Sequence, residues 1–196
     1  MDIDQEIICT SRLFGESIDS AHWPLWKKMG SNPVLMDHLG EKSDKSDALL
    51  NFKWHVTQMR ELGYGHWMFF SRINGEFIGR CGLRQIEVDG KQEIELTYSV
   101  VPKFWQQGFT DEMAAHVIDI AFKTSNISSI IAKTRYSDSS SQKVLHELGF
   151  VYEKDCVRNS IEHLFYRKRN VTQSAKAASV NYFSMPKAII NLQEYN

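Results

Sequence analysis

Between residues 93 and 100 apolar and polar positions alternate without a break. Ile94, Leu96, Tyr98 and Val100 stand against Glu93, Glu95, Thr97 and Ser99. Successive strand side chains point to opposite faces, so this pattern predicts a half-buried strand with one apolar and one polar face. Upstream, Trp67-Met68-Phe69-Phe70 and Phe77-Ile78-Gly79 flank Asn74-Gly75, which predicts a hairpin closed by a type I′ turn. Asp89-Gly90 predicts a second turn. Residues 6–14 read as one short strand. Residues 127–134, 150–155 and 161–167 read as three more.

The segment 20–63 carries a helical period instead. Trp23, Trp26 and Met29, then Leu35, Met36 and Leu39, are spaced as apolar helix faces, and Pro24, Asn32-Pro33 and the polar run 40–47 interrupt them. Leu49, Leu50, Trp54, Val56 and Met59 predict a longer helix ending near Gly63. After Gly108, Met113, Val117 and Ala121 lie beside Ala114, Ile118 and Phe122, two rows at i, i+4 spacing that form a broad stripe. A further helix spans about residues 139–148 and ends at Gly149. Helices first, then a strand meander, then β-α-β-α-β-β make a mixed α/β (α+β) arrangement. The doubly wound layout is excluded, because its phosphate turn follows the first strand rather than a late one. The expected domain is 1–169, with 170–196 as a polar tail whose apolar patch Ala188-Ile189-Ile190 suggests a short docking helix.

Composition narrows the class. A chain of 196 residues with 42% hydrophobic and 24% charged residues suits one soluble domain. A net charge of -1 argues against nucleic acid or an anionic membrane as a bulk electrostatic partner. Cys9, Cys81 and Cys156 form neither a disulfide framework nor a zinc pattern, and the seven histidines show no metal-ligand spacing. These features lead us to expect a cytoplasmic protein without a metal.

The segment 101–113 carries the chemistry. It joins the alternating strand to an amphipathic helix through a turn containing Gly108. A strand that turns directly into a helix presents free backbone N–H groups and the positive end of the helix dipole, which together hold phosphate.

Four segments in register resemble the GCN5-related N-acetyltransferases, in the branch of the ribosomal-protein N-terminal acetyltransferases. They are Thr10-Ser11-Arg12-Leu13, the run Ile78 to Leu83, the stretch from Glu95 through Glu112, and Asp138-x-x-Ser141-x-x-Val144-Leu145-x-x-Leu148-Gly149-Phe150. The resemblance implies a mostly antiparallel sheet that splays open between its fourth and fifth strands, with acetyl-CoA in the gap. It implies that the backbone of Gln106, Gln107, Gly108, Phe109 and Thr110 holds the pyrophosphate, with Trp105 at the usual first loop position. Val100 and Val101 would pair with the pantetheine arm like an added strand. Glu95 matches a catalytic or amine-binding carboxylate, and Ser141 a proton donor or pantetheine contact near the sulfur. The acceptor would be a primary amine, on a protein N-terminus or a small molecule, and the assembly a monomer or homodimer.

Three departures stand out. Thr110 occupies a position where relatives have glycine or alanine, and Asp138 one where asparagine is frequent. Leu145 stands where many relatives carry an acidic tyrosine. They keep open a second function, an acyl-CoA-binding sensor of the same fold with little or no catalysis. A nucleotide-binding domain is disfavoured, since the phosphate-loop lysine is missing.

Overall fold

The computed structural model describes residues 6–39, 45–158 and 161–171. In chain order the elements are β1 (Ile7–Cys9), β2 (Leu13–Ser17), α1 (Trp23–Gly30), α2 (Pro33–Leu39), α3 (Lys45–Leu62), β3 (His66–Ser71), β4 (Phe77–Val88) and β5 (Lys91–Val100). They are followed by α4 (Phe109–Thr124), β6 (Ser129–Arg135), α5 (Ser139–Glu147), β7 (Val151–Arg158) and β8 (Ile161–Arg169). The patch 188–190 lies outside the described residues.

The strands form one sheet in the order β1-β2-β3-β4-β5-β6-β8-β7. Every neighbouring pair is antiparallel except β5 and β6, which run parallel and share a single register pair, Glu95 with Ile131. Parallel neighbours need a long crossover, and α4 supplies it. The two strands touch at that pair and then separate, which opens the sheet beyond it.

Two turn expectations are corrected. Residues 6–14 are not one strand. Thr10 folds back on Leu13, through its N–H at 2.9 Å and its hydroxyl at 3.2 Å to the Leu13 carbonyl, so β1 and β2 form a hairpin. The type I′ geometry falls on Asp89-Gly90, not on Asn74-Gly75. Both central residues of a type I′ turn need positive φ. Asp89 and Gly90 have φ 51° and 73°, whereas Asn74 is not among the positive-φ residues and only Gly75 is, at 69°. The reason is loop length. Val88 pairs directly with Lys91, leaving two residues in the second turn, while β3 and β4 leave a longer loop closed by Gly75 N–H on the Ser71 carbonyl.

Helices cover both faces. On one, Met113, Ala114, Val117, Ile118 and Ala121 of α4 and Leu145 of α5 bury against Phe69, Cys81, Leu83, Leu96, Ile130 and Ala132. Each large apolar side chain buried there is worth roughly 1.5–3 kcal/mol, so the i, i+4 rows read from the sequence fix how α4 lies. On the other face Ile18, Trp26, Phe52 and Met68 form a second core beneath α1 and α3. Asn170 closes the fold just past β8, donating its amide to the carbonyls of Phe122 and Ile127, both at 3.2 Å.

Candidate active site

Backbone groups of successive strand residues face opposite edges. The N–H of Val101 is turned to β4 and bonded to the Ile78 carbonyl at 2.9 Å. Val100 and Tyr98 therefore face the other edge, where β6 has already diverged. Of the two expected pantetheine contacts, Val100 lies on the open edge and Val101 has its N–H in use. The Val100 carbonyl accepts from the Trp105 indole N–H at 2.8 Å, which ties the turn to the strand it follows.

In the turn, Gln106 and Gly108 have φ 60° and 73°, and Gly108 is the N-cap of α4 without a side-chain cap bond. The first bond of the helix runs from Glu112 N–H to the Gly108 carbonyl at 3.2 Å, so the preceding N–H groups have no partner inside the helix. Thr110 is the second residue of α4 and its hydroxyl caps nothing. One arginine braces the turn. Arg12 donates Nη1 to the Gln107 carbonyl at 2.8 Å and Nε to Glu112 at 2.6 Å, and lies 4.4 Å over the Phe109 ring. No peptide bond is cis. Because a trans peptide points its C=O and N–H in opposite directions, holding the Gln107 carbonyl from behind turns the Gly108 N–H outward. Glu112 also accepts from Thr10, Ser11 and the Arg12 N–H. Burial alone would raise its pKa, but the bonds from Thr10, Arg12 and Ser11 outweigh burial and hold it at about 2.

The first turn of α5 meets the same gap. Asp138 is its N-cap, accepting from Ser141 N–H at 3.0 Å and from the Ser140 hydroxyl at 2.7 Å. The Ser141 side chain lies near the Tyr98 hydroxyl, whose pKa burial pushes well above the ordinary range. Tyr98 enters the sequence pattern only as an apolar strand position. Leu145, where relatives carry the acid, is buried in the core, and the hydroxyl near Ser141 comes from β5 instead. On this face Asp111 Oδ1 and Thr134 Oγ1 are buried without a hydrogen-bond partner. An open strand edge, uncapped helix N–H groups and orphaned buried oxygens fit a ligand that carries amides and a diphosphate.

The opposite face of the gap is charged. Glu95 is buried, with Oε2 held by Arg84 Nε at 2.6 Å and Nη2 at 2.5 Å and Oε1 by Lys133 at 3.1 Å. Thr97 pairs with His66 Nε2 at 3.0 Å. The His66 ring lies 4.1 Å from that of His55, and Arg80 stacks on Trp26 at 3.6 Å. Burial first, then the charges of Arg80 and Arg84, lower both imidazoles, His55 to about 2. Both rings pack against Trp26 and each other.

The sheet splays open beside the uncapped N-terminus of α4. The chain belongs to the GNAT acetyltransferase family, whose domain model matches residues 12–151. It is an N-acetyltransferase with acetyl-CoA as co-substrate. YkkB, an uncharacterized protein of Bacillus subtilis, is 25% identical over 124 residues, covering 63% of this chain and 72% of that protein. An acetyltransferase from Agrobacterium tumefaciens superposes with a TM-score of 0.74 at 21% identity, over 86% of this chain and 97% of that one. A spermidine N-acetyltransferase from Vibrio cholerae, solved with CoA and spermine, superposes at 0.69 and 15% identity, over 83% and 98%. At these identities the structures establish the fold. Among the described residues no group of His, Cys, Asp and Glu is placed to hold a metal ion, and no helix is long and apolar enough to cross a membrane.

Proposed function

We propose that this protein transfers the acetyl group to a primary amine directly, with both substrates bound together. The observation that carries this reading is the single Glu95–Ile131 register pair. Beyond it the sheet opens to both faces, with uncapped α4 N–H groups at one and Glu95 at the other. Bound acetyl-CoA supplies an electrophilic thioester carbonyl.

Gln106, Gln107, Gly108, Phe109 and Thr110 bind diphosphate through backbone N–H groups, Trp105 fixes the turn, and Val100 offers a strand edge. Glu95 positions the amine and takes its proton, directly or through water. Its carboxylate has more lone pairs than Arg84 and Lys133 use. Ser141, beside Tyr98, holds a proton on the cofactor face for the departing sulfur. Asp138 supports this by orienting the first turn of α5.

The sensor reading rested on Thr110, Asp138 and the missing tyrosine. Asp138 engaged as a cap and the hydroxyl of Tyr98 both weigh against it. The acceptor is an N-terminal or small-molecule amine, and the working form a monomer or homodimer. Three free cysteines support a reducing, cytoplasmic setting.

Calorimetry with acetyl-CoA, followed by thiol release across an amine panel, tests the proposal. Absence of acetyl-CoA binding at high micromolar concentration sinks it. Binding without acetylation of any amine returns the sensor reading.

A further inference from the structure

Counting on from the Glu95–Ile131 pair, Thr97 and Lys133, then Ser99 and Arg135, hold equivalent positions on the two diverging strands. All four lie on the face that carries Glu95, because side chains two residues apart share a face. The β5 wall of the gap therefore bears hydroxyls and the β6 wall bears cations. At the apex two cations serve one carboxylate, with the side chains of Arg84 and Lys133 each 14% exposed and that of Glu95 3%. Arg135 donates Nη1 to the Asp37 carbonyl of α2 at 3.0 Å, while its Nε is buried with no partner.

Charges withdrawn from water need a counter-charge. One positive charge is left over at the apex, and Arg135 adds another, whose hydrogen-bond partner among the described residues is a neutral carbonyl. Among the described residues of this face, Glu93 and Glu153 are committed to Arg167, Asp89 to Lys154 and Glu16 to His22.

We infer that the acceptor amine carries a carboxylate, which docks against Lys133 and Arg135 while the amine enters beside Thr97 and Ser99. This inference rests on the N-acetyltransferase reading above. Bonded strands lie about 4.8 Å apart and splayed ones further. The amine and the carboxylate are then separated by roughly 5 Å or more, which matches an α-amine and a side-chain carboxylate. Free glutamate has that chemistry, and so does a peptide beginning with it; aspartate, one methylene shorter, falls short. A polyamine meets repulsion from the same wall.

The test is thiol release from acetyl-CoA with matched acceptors: glutamate against glutamine, a peptide starting with Glu against one starting with Gln, and spermidine. We expect kcat/KM at least tenfold higher for the acid than for its amide in one of the two pairs. The pair that shows it identifies a free amino acid or a peptide as the source. Spermidine falls below both acids, and the acid preference shrinks in high salt. Lys133→Met and Arg135→Gln each bring the acid-to-amide ratio towards one, and the wild-type ratio alone decides the matter if a variant fails to fold. Equal rates for acid and amide, preference for spermidine, or no turnover of either acid overturns the inference. When acetyl-CoA still binds by calorimetry and another amine is acetylated, those outcomes leave the N-acetyltransferase reading standing.

Discussion

The two faces of the gap are built from different materials. On the cofactor face the donors are backbone N–H groups of α4 and of the β5 edge, braced from behind by Arg12 and Glu112. On the opposite face the working groups are charged side chains, Glu95 between Arg84 and Lys133 with Arg135 beyond. Backbone donors can bind diphosphate without side-chain identity, so under the proposed function that face can accommodate Thr110 and Asp138, two of the departures noted in the sequence. Under the inference above, side-chain charges set which amine is welcome, and the other face is where acceptor choice resides.

The difference can be broken from the charged side first. Glu95→Gln removes the shared anion of a buried triad and should destabilise the fold by about 3–5 kcal/mol in urea unfolding. It should lower turnover about 10²–10⁴-fold, the range for a proton-transfer group, with acetyl-CoA affinity changed far less. A loss of acetyl-CoA affinity as large as the loss of turnover would show that the two faces are not separable. Adding Lys133→Met to Glu95→Gln should recover part of the stability, because it removes the charge left unpaired.

Ser141→Ala and Tyr98→Phe sharpen the comparison on the cofactor face. Each should lower kcat by roughly tenfold to a hundredfold. The double variant should be little worse than either single one, since residues acting as a unit are not additive. Additive losses would separate the two hydroxyls.

A smaller effect isolates the brace. Arg12→Gln should raise KM for acetyl-CoA about tenfold, the worth of roughly one charge-assisted hydrogen bond, with most of the loss on KM rather than kcat. Acetyl-pantetheine, which lacks the diphosphate, should barely respond. An equal penalty on both thioesters would mean that Arg12 supports the fold rather than the phosphate cradle.

The smallest effect is with pH. Glu112 has its pKa lowered from 4.5 to about 2 in the folded protein. Its contribution to stability is therefore complete above about pH 4.5 and disappears as the pH falls towards 2. Thermal unfolding should drop more steeply across that window in the wild type than in Glu112→Gln. Parallel curves would remove Glu112 from the acid response.

Much of the site was legible because it is local. The turn at Gly108, the helix after it and the alternating strand all follow from neighbouring residues. Arg84 could also have been found. A two-residue turn at Asp89-Gly90 makes Val88 face Lys91 and hence Arg84 face Glu95. That inference needs the right turn type, and Asn74-Gly75 took the type I′ assignment. Lys133 was not accessible in this way, because a parallel pair joined through α4 has no turn from which to count. Arg12 and Glu112 are 100 residues apart, and no periodicity links them.

By itself the sequence determined which positions face inward, where strands end and helices begin, and that a glycine turn opening into a helix follows the strand bearing Glu95. These depend on short-range backbone preference and on burial of apolar surface, which act within a few residues. The tertiary structure alone decided where β5 and β6 part, that Tyr98 reaches Ser141, that Arg12 props the turn, and that Glu95 is shared by two cations. Those facts depend on register between segments far apart in the chain, which is set by how α4 crosses the sheet and packs.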